Sequence, residues 1–251
     1  MKEEEDKMNP SFMDGFHYFV RTTTDMNFSL SNDVIIMNIL FIVFSIIFIM
    51  KYRSKSTVLL NKVVILLVIQ QISLYTWYMF NDNIGLSDGL PLYLCRITMM
   101  SLLILIFLNK IDTKIGIFFL YAGLAGSTAA LLVPDLDKYN FPHITNFTFE
   151  IGHMCLFYIS FYYLNYIRQS LKVTHIIGII LIMHLCINMV NGILGSNYSF
   201  LRRSPSIVGM NLTENQSFMF ATTVVILLIL ISRFIHEKII LRQSEFSKNS
   251  Y

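Results

Sequence analysis

An apolar run from Leu90 to Leu108 constrains this chain most, because the run is long enough to cross a bilayer. Two polar side chains, Cys95 and Arg96, stand within its first two turns. An ionisable residue in a hydrocarbon span needs a partner that faces it, so such a residue marks a functional site by default. We therefore expect the other apolar runs to be helices that pack around this one and supply the residues that face Cys95 and Arg96.

Apolar runs recur along the whole chain, and short connections separate them. The runs are approximately Val34–Met50, Val63–Phe80, Leu90–Leu108, Ile115–Val133, Phe147–Ile167, His175–Ile193 and Phe218–Ser232. With 55% hydrophobic and 14% charged residues in 251, the composition excludes a soluble domain. We predict an all-α, polytopic membrane helix bundle with seven transmembrane helices over residues 31–235, after an extracellular tail (1–30) and before a cytoplasmic tail (236–251).

The distribution of Lys and Arg predicts the orientation. These residues prefer cytoplasmic loops, and the connections after the first, third and fifth runs carry more of them than the opposite side, as does the C-terminal tail. The N-terminus is therefore predicted outside and the C-terminus inside, although Arg202 and Arg203 oppose this assignment. The composition, rich in Ile, Asn and Lys, is typical of a bacterial plasma-membrane protein.

The net charge of +3 gives no indication of nucleic-acid binding, and the sequence offers no recognisable protein-docking module. Membrane lipids are the expected partners. In the N-terminal tail, Phe12, Phe16 and Phe19 follow an i, i+4, i+7 pattern. That pattern indicates a short interfacial amphipathic helix, and a floppy tail is the alternative.

Cys95 and His153 form the central pair of candidate residues. If each helix enters from the outer side, Cys95 lies about 7 Å deep and His153 on the fifth run about 9 Å deep, at 1.5 Å per residue. Matching depths on different helices are what a nucleophile and its general base require. Glu150 precedes His153 by three residues, and it is a candidate to orient the imidazole. The alternatives are an inert core thiol and an ion pair between Glu150 and Arg96.

Polar residues on the sixth run extend this constellation. His184, Asn188 and Asn191 lie at i, i+4 and i+7, along one stripe that climbs to the outer side. The asparagines are candidates to orient the histidine or to donate to an oxyanion. The stripe is equally consistent with hydrogen bonding between neighbouring helices.

The loop after the sixth run contributes the last candidates, which are Asn197, Tyr198, Arg202 and Arg203. It either covers the outer end of the site and holds a lipid phosphate, or it is a solvated loop. The chain has one Glu-x-x-His motif, and di-metal chemistry needs two such motifs with further carboxylates. We therefore expect neither a metal nor another cofactor.

These blocks of sequence also resemble a known family. LPLYLC at 90–95, GLAGSTAALLVPDL at 123–136, FPH at 141–143, GH at 152–153 and LGSNYSFLRRSP at 194–205 are similar to the YwaF-like bacterial integral membrane proteins, relatives of transmembrane protein 164. The resemblance covers roughly residues 30–235. It implies lipid acyltransferase chemistry through an intramembrane cysteine and histidine, which match Cys95 and His153, and an Asn-Tyr element, which matches Asn197 and Tyr198. Asp33 stands where bacterial members often carry a histidine.

The resulting hypothesis is a membrane-embedded lipid acyltransferase or lipid hydrolase. Cys95 attacks a phospholipid ester and forms a thioester, with His153 as base and then acid, in the outer-leaflet half of the bilayer. Arg96, Arg202 or Arg203 pairs with the lipid phosphate. The alternative is a non-enzymatic multi-pass protein, such as a transporter, a lipid-binding scaffold or a sensor.

Overall fold

The structure, a computed structural model, describes residues 10–26, 31–81, 85, 89–204, 209 and 211–248. Residues 1–9 and 27–30 of the predicted tail and Pro205 of the last resemblance block lie outside these ranges. The helices are α1 (Pro10–Phe19), α2 (Asn32–Lys51), α3 (Arg53–Met79), α4 (Leu94–Phe107), α5 (Lys114–Leu132), α6 (Ile144–Leu164), α7 (Val173–Leu194) and α8 (Glu214–Lys248), with a 3₁₀ turn at Tyr198–Phe200. The described ranges contain no strand.

Every predicted apolar run coincides with a helix, α2 to α8 in order. Five of them are long and apolar enough to cross a membrane: α2, α3 over Ser56–Met79, α5, α7, and α8 over Glu214–Glu245. The chain is therefore an all-helical, multi-pass membrane protein. The count of seven spans and the orientation stay predictions.

Helices α5 and α6 form the centre of the bundle. α5 packs against α4, α6 and α8, whereas α6 also packs against α3, and α2 contacts both α5 and α6. α6 has 21 residues but carries Thr, Asn, Glu, His and several Tyr side chains. Most of its residues are buried by protein, so these polar groups do not face lipid. α2, by contrast, exposes large apolar side chains such as Leu40 and Phe44.

Helix α4 begins later than the apolar run does. The helix starts at Leu94 with Tyr93 as its N-cap, so it has only 14 residues. The four residues before it form a turn, in which the Leu92 N–H bonds to the Leu90 carbonyl at 2.8 Å. The Leu90 N–H in turn donates to the Tyr198 hydroxyl at 2.9 Å. Cys95 is therefore the second residue of its helix.

Residues 20–25 tie the N-terminal segment to the loop before α6. The Arg21 carbonyl accepts from Nε2 of His143 at 2.9 Å, and the Asp25 N–H donates to the Lys138 carbonyl at 2.8 Å. His143 is buried and caps α6 by accepting the Thr145 N–H through Nδ1. Burial lowers the pKa of His143 below its usual value.

Helix α1 forms where the phenylalanine pattern predicts it. Phe16 is exposed. Phe19 packs against Phe147 at the start of α6, with 5.6 Å between the ring centroids. α1 is therefore attached to the bundle on one side and exposes an aromatic residue on another, as an interfacial helix would.

A second histidine fastens the opposite end of the bundle. Nδ1 of His236 on α8 accepts a hydrogen bond from the Tyr121 hydroxyl (2.8 Å), and Nε2 donates to the Ile167 carbonyl (2.8 Å). A carbonyl only accepts, so this assignment follows from the Ile167 contact. The side chain joins α5, α8 and the connection between α6 and α7. The segment 236–248, predicted as a tail, continues α8 as helix.

Candidate functional site

Small residues on α5 let α4 and α6 approach each other closely. A Cβ placed on Gly123 would lie 3.3 Å from Cγ2 of Thr98 on α4 and 3.0 Å from Cδ1 of Leu156 on α6. One turn nearer the start of α4, a Cβ on Gly126 would lie 2.9 Å from the Cys95 sulfur. The Cys95 side chain therefore rests on the Gly126 backbone, in the same helix interface.

Cys95 and His153 are each three residues from a side chain that packs against Gly123. Cys95 precedes Thr98 by three residues, and His153 precedes Leu156 by three, while Thr98 and Leu156 meet across Gly123. Each of them therefore lies about one turn before that layer along its own helix. The common depth of Cys95 and His153 stays a prediction.

The His153 imidazole is oriented by a backbone carbonyl. Its Nδ1 lies 2.7 Å from the Phe149 oxygen, so Nδ1–H donates and Nε2 keeps its lone pair. The side chain is buried, with 8% of the residue exposed.

Glu150 does not have the orienting role that the sequence suggested for it. Its carboxylate lies beside Asn38 of α2. Both of its oxygens are buried and lack a hydrogen-bond partner within the described part of the chain. The Phe149 carbonyl holds Nδ1 of His153 instead. Three-residue spacing puts two side chains on one side of a helix, but it does not make them touch.

Arg96 is held by aromatic rings. Its guanidinium donates to the Tyr78 hydroxyl on α3. The guanidinium carbon lies 4.9 Å from the centroid of the Tyr78 ring and 5.1 Å from that of Tyr93. Cation–π contacts of this kind stabilise a positive charge away from bulk water. These contacts with Tyr78 and Tyr93 hold the Arg96 guanidinium near the start of α4.

The polar stripe on α7 joins neighbouring segments. Asn191 accepts the Tyr198 N–H (2.8 Å) and donates to the Tyr198 carbonyl (3.0 Å). Nδ1 of His184 pairs with Oγ1 of Thr222 on α8 at 2.9 Å. Asn188, between them, is half-buried. Asn191 and His184 are therefore bonded to the loop and to α8, as the packing alternative for this stripe expected.

The loop after α7 supports the start of α4. The Tyr198 ring packs edge-on against Tyr93, with 5.3 Å between the ring centroids. Asn197 folds the loop, because its Oδ1 accepts the N–H groups of Arg202 and Arg203. The Arg202 guanidinium is bonded to Glu214 at 2.7 Å. Arg203 is exposed.

A model of the TMEM164 family matches residues 27–235. The chain belongs to the TMEM164 family. The matched region contains helices α2 to α7, most of α8, and both Cys95 and His153. The resemblance to relatives of transmembrane protein 164 is therefore confirmed. No curated protein and no solved structure matches the chain.

Sequence reasoning missed the glutamines of α3 in this TMEM164-family protein. Gln70 donates to the Thr148 carbonyl on α6 at 2.9 Å. Gln71 donates to the Met99 sulfur on α4 at 3.1 Å, while its Oε1 is buried without a partner among the described residues. Two adjacent amides in an apolar run were the available signal, since polar side chains in a span face protein.

Tyrosines near the end of α3 stand in positions typical of an interfacial aromatic belt. Tyr78 instead receives a hydrogen bond from Arg96. Tyr75, one turn before it, packs edge-on against Tyr78 with 5.9 Å between the ring centroids. The aromatic residues of α3 therefore belong to the candidate site.

Proposed function

We propose that this protein is a membrane-embedded lipid acyltransferase or lipid hydrolase that works through a thioester on Cys95. The observation that carries the proposal is the placement of the Cys95 sulfur. It lies at the start of α4 against Gly126, and on α6 the imidazole of His153 is anchored through Nδ1, which leaves Nε2 to act as a base. The substrates would be lipids of the cell membrane, reached from its outer-leaflet half.

In the first half-reaction, Nε2 of His153 takes the Cys95 proton, and the sulfur attacks the carbonyl carbon of a lipid ester. The tetrahedral intermediate collapses with cleavage of the ester C–O bond, and His153 returns the proton to the leaving alcohol. In the second half, His153 removes a proton from an acceptor hydroxyl or from water. The resulting oxygen attacks the thioester, and the sulfur leaves and is protonated.

The start of α4 supports this chemistry. The first N–H groups of a helix have no acceptor within the helix, and the N-terminus of a helix carries a partial positive charge. Tyr93 makes no side-chain cap bond here. The N–H groups around Cys95 are thus suited to stabilise a thiolate and the oxyanion that follows it.

Acyl labelling in nanodiscs tests the proposal. The bilayer contains a phospholipid with an alkyne-tagged acyl chain, and the variants are Cys95→Ala and His153→Ala, with Cys155→Ala as the matched control thiol on α6. We expect label that hydroxylamine removes in wild type and Cys155→Ala, and loss of that label in the other two. Equal labelling of all four proteins, or of none, would favour the non-enzymatic alternative. Free fatty acid or a new ester as product then distinguishes hydrolysis from transfer.

A further inference from the structure

The Tyr75 hydroxyl on α3 is a buried donor that the chain itself does not satisfy. Its oxygen is shielded from solvent and has no hydrogen-bond partner within the described part of the protein. A buried hydroxyl without a partner loses free energy relative to water, and buried tyrosines normally bond through this group. An acceptor from outside the chain would complete it.

The surroundings of Tyr75 favour an anionic acceptor. Tyr75 packs edge-on against Tyr78, and Tyr78 accepts a hydrogen bond from the Arg96 guanidinium, whose carbon also lies 4.9 Å from the centroid of the Tyr78 ring. A fixed guanidinium beside an unused hydroxyl suits an oxygen that carries negative charge.

The position of this cluster points to a lipid. Tyr75 stands four residues before the end of α3 at Met79, and Arg96 is the third residue of α4, so both are at helix ends. Lipid headgroups lie near the ends of membrane helices, so a lipid phosphate is the anion expected there. A glycerophospholipid carries its phosphate and its ester carbonyls on one glycerol unit, so a phosphate held by Arg96 keeps an ester close to Cys95.

The other two arginines considered for this role are placed differently. Arg202 is paired with Glu214 and also donates to the Asn191 carbonyl. Arg203 is an exposed loop residue. Arg96 is the candidate that follows Cys95 directly in the chain and contacts Tyr78, against which Tyr75 packs.

We propose that the Tyr75 hydroxyl and the Arg96 guanidinium together bind a phosphodiester oxygen of a phospholipid. The inference deepens the proposed function, because it assigns the headgroup contact of the same site. Binding at this position does not require the Cys95 thiol, so it is measurable without any acyl transfer.

The test uses Cys95→Ala protein, in which no thioester forms. Detergent-purified protein is exchanged with phosphatidylcholine or with diacylglycerol of the same acyl chains, and native mass spectrometry reports bound lipid. Tyr75→Phe is compared with Tyr163→Phe, which removes a phenol oxygen near the far end of α6. We expect Tyr75→Phe to weaken phosphatidylcholine binding about tenfold, and Tyr163→Phe to leave it unchanged. Diacylglycerol should bind weakly to all three proteins.

Three results would overturn the assignment. One is unchanged phosphatidylcholine binding in Tyr75→Phe, and another is diacylglycerol binding as tight as that of phosphatidylcholine. The third is binding of inorganic phosphate without lipid, which would identify a free-phosphate site. Thermal unfolding adds a check, because an unpartnered hydroxyl can be removed without loss of stability, whereas an internal partner would make Tyr75→Phe less stable. Phospholipid binding without acyl labelling would contradict the thioester proposal but not this one.

Discussion

A methyl group added at Gly126 tests whether the position of the Cys95 sulfur matters for function. The Cβ of Gly126→Ala would lie 2.9 Å from Sγ, and ordinary contacts begin at 3.4 Å, so sulfur or helix must move by about 0.5 Å. A misplacement of 1 Å costs on the order of 100-fold in rate, which makes about tenfold a reasonable expectation here. The substitution should therefore slow formation of the thioester.

The stability of the same variant should change less. Overpacking a core costs about 1–3 kcal/mol, and replacing glycine by alanine inside a helix returns up to about 1 kcal/mol. At Gly123 a Cβ would meet side chains of both α4 and α6, including Ser160 Oγ and Leu156. Gly123→Ala should thus lower the melting temperature more than Gly126→Ala does.

The assay is the initial rate of hydroxylamine-sensitive labelling in nanodiscs, with melting temperature measured on the same preparations. Gly192→Ala is the matched control, because a Cβ at that position on α7 meets nothing within 4 Å. We expect it to label at the wild-type rate. If Gly126→Ala also labels at the wild-type rate, the reasoning that places the reacting sulfur against Gly126 is refuted.

Three further predictions concern the two ends of the bundle. His236→Phe removes two buried hydrogen bonds and should destabilise the protein by about 2–4 kcal/mol, visible as a lower melting temperature. An unchanged melting temperature would show that the bonds of His236 to Tyr121 and Ile167 do not stabilise the bundle. Because burial lowers the folded pKa of His143, the unfolded state binds the proton first as pH falls below about 6.5, so stability should decline there, and His143→Asn should flatten that decline in melting curves from pH 7.5 to 5. In cells, Asp135→Cys should react with an impermeant maleimide from outside and Lys110→Cys should not; the reverse pattern would invert the predicted orientation.

The sequence was sufficient to locate the helices, because each apolar run is bounded by polar connections. The common depth of Cys95 and His153 stays a prediction, which rests on the rise per residue and on the end at which each helix begins. The sequence could not predict that α4 starts at Leu94. That boundary depends on a bond from the Leu90 N–H to Tyr198, which is more than 100 residues away.

The sequence could not determine which neighbouring side chain or backbone group each polar residue contacts in the bundle. Glu150 and His153 share a side of α6, but the first lies beside α2 and the second is anchored by its own helix at Phe149. The rotation of a helix in a bundle decides which neighbour each side chain meets, and it follows from packing over the whole interface. Aromatic residues at the end of α3 are likewise compatible with an interfacial belt or with a site.

The shortness of α4 has a consequence for the lipid around it. A helix of 14 residues spans about 21 Å, whereas the hydrocarbon core of a bilayer is about 30 Å thick. Such a negative hydrophobic mismatch is relieved when the adjoining leaflet thins and its headgroups sink toward the helix end. The membrane itself would then carry ester bonds down to the level of Cys95, so that a substrate lipid need not be extracted from its leaflet.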